Sequence, residues 1–270
     1  MRTTVRLAVT TILLLVCAAS LTAHDLFLRL DQYFVAANSD VDIRVLSGTF
    51  SKSENSVARV RLRALDLRGP QGLVRLDTAA WMPRGNSTFL RINTGAPGTY
   101  VVGASLKPST IRLAAKDFNG YLRSDGLPDV LADRRRDHML DSSAHERYHK
   151  HVKAIFQVGN AQSAGFDEVL GYPAELVPLE NPYTLRVGGM LRVRALVDGR
   201  PVSNQYVIAG GRTGNGRIEA RGVRTDADGV ARIRLRSKGV WYIKFINMVP
   251  VQNDSVNYES KWATLTFGVR

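Results

Sequence analysis

The sequence predicts a mainly β protein, built as two β-sandwich domains joined by a short helical insert. Three observations predict it. Apolar and polar residues alternate over short runs, as in Val41 to Leu46 and Val230 to Leu235. Clusters of Gly, Pro, Asn and Asp punctuate those runs at close intervals. One stretch, from about residue 114 to 153, drops the alternation for helical spacing. Short strands separated by turns rather than by helices favour a sandwich over alternating β and α units.

The first element is expected to be removed. Arg2 and Arg6 form a basic start, Leu7 to Ala19 is apolar, and small residues follow. That is the layout of a secretory signal peptide, residues 1–23, with cleavage after Ala23 or Ser20. The apolar run is short of the ~20 residues a spanning helix needs. A lipoprotein reading through Cys17 is disfavoured by Val16, which stands where a small residue is usual. The expected location is therefore the periplasm. Cys17 is the only cysteine, so the remaining 247 residues have no disulfide, thiolate metal site or covalent haem attachment. The formal charge is +13, and +11 once Arg2 and Arg6 are lost. Such a surface attracts anions. Nucleic acid is a poor candidate, because no zinc finger, helix-turn-helix or stacking motif is present. Arginines that alternate with apolar residues, as in Val60-Arg61-Leu62-Arg63, read as the solvated face of strands.

Residues 24–113 form the N-terminal β-sandwich domain, with strands at Leu26–Val35, Val41–Leu46, Val57–Leu67, Thr88–Ile92 and Thr99–Leu106. Turns fall at Asn38-Ser39-Asp40, Gly69-Pro70, Pro83-Arg84-Gly85-Asn86 and Gly95-Ala96-Pro97-Gly98. In the insert, 114–153, Phe118, Tyr121 and Leu122 have helical spacing. Gly126-Leu127-Pro128 breaks it, and Asp141-Ser142-Ser143 offers an N-cap for a third short helix. Residues 154–270 form the C-terminal β domain. Its strands are Leu191–Val197, Gln205–Ala209, Gly216–Val223, Val230–Leu235, Val240–Met248 and Ala263–Val269, with turns at Asp198-Gly199 and Asp226-Ala227-Asp228-Gly229.

A series of stretches carries a family resemblance. They are His24-Asp25-Leu26-Phe27-Leu28, Tyr148 with His151-Val152-Lys153-Ala154, Leu170-Gly171-Tyr172-Pro173-Ala174-Glu175, Asn181-Pro182-Tyr183, Asp198-Gly199-Arg200-Pro201, Gly239-Val240-Trp241-Tyr242 and Trp262-Ala263-Thr264-Leu265. In these the chain resembles the periplasmic domain-of-unknown-function 4198 family, some members of which are linked to nickel or cobalt uptake. The resemblance implies two immunoglobulin-like/transthyretin-like β-sandwich domains, and a binding rather than a catalytic role. It also implies a histidine at the position of Asn247, which this chain lacks.

The chemistry-bearing residues are the five histidines, four of them within the 14 residues from His138 to His151. On a helix, His145 and His149 lie one turn apart and His138 about two turns earlier on the same side. Neutral imidazoles so spaced can chelate nickel, cobalt, copper or zinc. If cleavage follows Ala23, the α-amine and imidazole of His24 supply two more nitrogen donors. The expected metal residues are therefore His24, His145 and His149, with His138, Glu146 and His151 behind them. An exposed polar helix carrying ordinary histidines is the plainer alternative.

His145-Glu146-Arg147-Tyr148-His149 also fits the zinc-peptidase pattern H-E-x-x-H. Arg147 and Lys150 would set two cations beside the dication, so no catalytic role is expected. Asp226-Ala227-Asp228-Gly229 lacks the ligands of a calcium loop, and no serine-hydrolase elbow is present. The resulting expectation is a periplasmic protein that captures a transition-metal ion and passes it to a membrane metal transporter. The alternative is a non-catalytic envelope interaction module for a protein or acidic polysaccharide.

Overall fold

The computed structural model describes residues 24–214, 216–252 and 255–270, and the expected leader with Cys17 lies outside the described residues. In chain order the first half supplies β1 (Asp25–Leu30), β2 (Phe34–Val35), β3 (Asp40–Gly48), β4 (Ser53–Asn55), β5 (Leu62–Gly69), β6 (Gly72–Arg75), β7 (Trp81–Arg84), β8 (Ser87–Asn93), β9 (Gly98–Leu106) and β10 (Ser109–Leu113). Two helices follow, α1 (Ala115–Ser124) and α2 (Pro128–Arg136), then the long β11 (Ala144–Val158). The second half supplies β12 (Ala174–Pro178), β13 (Met190–Val197), β14 (Arg200–Pro201), β15 (Tyr206–Arg212), β16 (Arg217–Arg224), β17 (Val230–Arg234), β18 (Gly239–Pro250) and β19 (Tyr258–Val269).

These strands form three sheets. The largest runs β16-β15-β18-β19-β11-β9-β5-β6, with β10 and β2 also paired to β11. A five-stranded sheet, β1-β3-β8-β7 with β4 on β3, covers one face of its first-half strands. A four-stranded sheet, β12-β13-β14 with β17 on β13, covers the opposite face at its second-half strands. Alternate side chains of a strand leave on opposite faces, so β9 and β11 feed both cores. Val102, Ala104, Ala154 and Phe156 meet Leu28, Ile43 and Val45 on one side. Val101 and Ile155 meet Val193, Ala195, Ile243 and Phe267 on the other. All nine residues of β9 are accordingly buried, the pattern of a strand covered on both faces.

The mainly β character and the helices around Phe118, Tyr121 and Leu122 agree with the sequence. Several expectations need correction. The strand expected over Leu26–Val35 is two, β1 and β2, and β5 starts at Leu62 after a 3-10 turn at Arg59–Arg61. The third helix of the insert does not exist. Residues 144–153 belong to β11, hydrogen-bonded to β10 on one edge and, in parallel, to β19 on the other. Ladder bonds on both edges override a local helical preference. The expected boundary between residues 153 and 154 thus falls inside a strand. His138 lies in an exposed turn after α2, at φ 55°.

The helices cap one end of the large sheet. Phe118, Tyr121 and Leu122 pack on Ile246, Met248, Tyr258 and Trp262. Arg134 of α2 is buried there, donating to Asn119 Oδ1 and to the carbonyls of Met139 and Ser142. No helix among the described residues is long and apolar enough to cross a membrane.

Candidate functional site: the cleft at the head of β1

A cleft of about 730 Å³ opens where β1 begins, on the face of the large sheet that also carries the helices. β1 is fixed there because Lys150 donates to the His24 carbonyl from the core-facing side of β11. Further along, Thr264 and Thr266 donate to the carbonyls of Leu26 and Leu28. The β3–β4 hairpin forms one rim. Gly48, at φ +152°, is required there, since a Cβ would lie 2.6 Å from the Lys52 carbonyl oxygen.

One wall is aromatic. Phe27, Phe50 and Tyr242 contact one another with ring centroids 4.9 to 5.3 Å apart. The floor is charged. Lys244 Nζ lies 2.6 Å from Asp25 Oδ2 and 3.0 Å from Asp125 Oδ1. Burial alone would lower the Lys244 pKa, but the two carboxylates overcome it and hold the ammonium above the usual lysine range. Burial pushes the Asp25 carboxyl up, with Lys244 opposing it. Asp25 Oδ1 is buried and has no hydrogen-bond partner among the described residues, an arrangement that costs free energy unless a ligand or solvent satisfies it. At the mouth, His24 Nε2 stands 3.4 Å from Glu54 Oε2. Lys150, buried beneath, is lowered to about 8 by burial, with Asp25 and Glu146 opposing.

The six residues expected to hold one metal ion are not brought together. His24 lies on the cleft side of β11. Glu146 is on that same face but buried under the helices, accepting from Tyr121 and Ser260. His145, His149 and His151 leave on the other face, and His138 is remote in its turn. His145 and His149 are four strand positions apart, roughly 13 Å at strand rise, which no single ion spans. The H-E-x-x-H pattern therefore has neither the helix nor the convergence that its chemistry needs. Asn247, where the resemblance implies a histidine, donates to Gln205 Oε1 beside Met248.

Among the described residues no three His, Cys, Asp or Glu side chains are grouped to hold a metal ion. The cleft lining includes one imidazole, the Glu54 carboxylate and the unpartnered Asp25 Oδ1. This mix of nitrogen and oxygen donors differs from the thiolate sets that soft ions take. Sequence reasoning found His24 but missed Asp25, Glu54, Asp125 and Lys244. Scattered single charges carry no spacing signal, and only the His24-Asp25 pair at the head of a strand could have pointed here.

No curated protein matches the chain. Among solved structures it is similar to the D0-D1 domain of intimin, at 13% identity and a TM-score of 0.22, covering 91% of this chain and 98% of that one. It is also similar to a tetra-tandem repeat in the extending region of a large adhesion protein, at 14% identity and a TM-score of 0.21, covering 91% and 49%. Overlap that low carries no argument about function. The family described as Domain of unknown function (DUF4198) matches residues 21–248, and the chain belongs to that family.

Proposed function

We propose that this is an exported, non-catalytic binding protein that captures a transition-metal ion, nickel or cobalt, in the cleft at the head of β1 and delivers it to a membrane transporter. The observation that carries this reading is the buried, unpartnered Asp25 Oδ1 in a cleft whose mouth holds His24 and Glu54. With cleavage after Ala23, the α-amine of His24 becomes the donor that the side chains alone lack. A dication bound there replaces a proton on that amine and satisfies the Asp25 oxygen. Untagged protein recovered from the periplasm is expected to contain nickel or cobalt. The metal-free form should take up one equivalent in the cleft, detected by calorimetry. His24→Ala should abolish that equivalent, and Asp25→Asn should weaken it by about 10- to 100-fold. Elemental analysis without either metal, together with no heat for nickel, cobalt, copper or zinc, overturns the reading.

A second reading has its own observation. Arg221, Arg232, Arg234 and Arg236 surround a small groove of about 110 Å³ floored by Ile233 and Trp241. That surface suits an acidic polysaccharide or protein of the envelope. Such binding would fall steeply as salt rises, whereas chelation in the cleft would change little.

A further inference from the structure

The face of β11 turned away from the cleft holds a second arrangement of nitrogen donors. His149 and His151 are two strand positions apart and therefore side by side on one face. Their ring centroids are 6.4 Å apart. His151 is 2% exposed, and its Nε2 is buried with no hydrogen-bond partner among the described residues. Both ring nitrogens of His149 are buried without a hydrogen bond as well. Three neighbouring imidazole nitrogens without a hydrogen bond are hard to explain as packing, because each gives up solvation and only His149 Nε2 has a partial return, the Glu259 carboxylate 3.4 Å away.

The surroundings set the tautomer and the chemistry. Ser105 Oγ on β9 lies 2.9 Å from His151 Nδ1. When Nδ1–H donates to that hydroxyl, Nε2 presents a lone pair, the usual way an outer hydrogen bond orients a metal-binding histidine. Glu259 on β19 places Oε1 3.4 Å from His149 Nε2. Tyr172 closes the other side, its ring 6.0 Å from that of His151. Burial lowers the pKa of both imidazoles, that of His151 to about 3, so they stay neutral at physiological pH. The flanking cations are mostly engaged: Lys261 bonds Asp198, and Arg147 lies 3.7 Å from Glu259. Arg63 adds a further positive charge nearby.

We infer that His149 and His151, with Glu259 as an oxygen ligand, form a site for a borderline divalent transition ion such as zinc, copper or nickel, separate from the cleft at His24. Two imidazoles sharing an ion at ~2.0–2.1 Å per bond have ring centres about 5 to 6 Å apart. The side chains as placed are not grouped around one point, so binding requires His149 and His151 to turn their rings toward a shared ion from their 6.4 Å separation. A donor set of two imidazoles and one carboxylate is a poor match for calcium and magnesium, which take oxygen ligands. The flanking cations make the site weaker than a closed structural zinc site. It does not depend on the cleft binding anything.

The test uses untagged, chelator-stripped protein. In long-range ¹H–¹⁵N spectra of the imidazoles, one equivalent of zinc is expected to move ring nitrogens of both His149 and His151, leaving His138 in place. Magnesium and calcium should move neither. In calorimetry, His24→Ala is expected to retain one zinc equivalent, which adding His149→Gln and His151→Gln removes. Ser105→Ala, which leaves the ligands in place, should weaken that equivalent by about 10- to 100-fold. Unmoved His149 and His151 resonances at saturating zinc overturn the inference. So does an equivalent that survives the triple variant, whatever happens in the cleft. The spectra of the intact protein decide the question even if the variants fold poorly.

Discussion

Glu146 is 1% exposed, and its Oε1 accepts from Tyr121 OH and from Ser260, while Oε2 has no partner among the described residues. Burial raises its pKa, and the two hydroxyl bonds and Lys150 only partly offset that. The folded state therefore holds this proton more tightly than the unfolded chain does. Stability from this group is fully present below the ordinary carboxylate value and is lost as pH rises from there through the raised one. Glu146→Gln keeps the shape and removes the buried charge. It should melt higher than the wild type at neutral pH, and the gap should close as pH falls into the carboxylate range. A lower melting temperature at pH 7 would show that the ionised form is stabilising. In the sequence this residue sat inside a metal-peptidase pattern. Only the strand geometry, which turns it away from both flanking histidines, reveals it as part of the packing under the helices.

At the scale of elements, the strands that could be read were those with one wet face. β3 alternates exposed and buried residues from Asp40 to Val45, and its bounds lie close to those expected. The first part of β11, residues 144–152, could not be read because its core-facing positions include Glu146 and Lys150, polar residues that break the alternation, while Asp141-Ser142-Ser143 imitates a helix start. In the structure Ser142 instead closes a turn, its N–H donating to the Met139 carbonyl. That turn is held by Arg134, 2% exposed, whose guanidinium also stacks 4.9 Å over Phe118 and donates to Tyr258 OH. Removing it leaves several buried acceptors unsatisfied. Arg134→Met is expected to cost about 3 kcal/mol in urea unfolding and to expose the turn at residues 137–143 to proteolysis. A loss below ~0.5 kcal/mol, the range of ordinary surface changes, would mean that the helices dock without this residue.

For the whole molecule, the sequence read as two β domains with an insert, and the turns between strands were placed correctly at Asp198-Gly199 and Asp226 to Gly229. Which strands pair across the chain was not legible, because pairing between residues more than a hundred positions apart leaves no local periodicity. β11 runs parallel to β19 and antiparallel to β9, so one sheet spans both halves and its two faces serve different cores. Ile155 and Phe156, adjacent in sequence, point into opposite cores, and both are fully buried. This geometry makes a mechanical demand. A cavity in either core strains the same strand, and neither sandwich can lose β11 without unmaking the other. Ile155→Ala and Phe156→Ala should each cost about 3 to 5 kcal/mol. Each should lower a single calorimetric transition that both halves share. Hydrogen exchange should then show amides of β3 and β13 weakened together in both variants, although each substitution lies in only one core. Should Ile155→Ala split the melting curve, with β3 retaining its protection, the shared sheet would be a contact between two independently stable units. The cleft at the head of β1 would then sit on a movable joint rather than on a rigid floor.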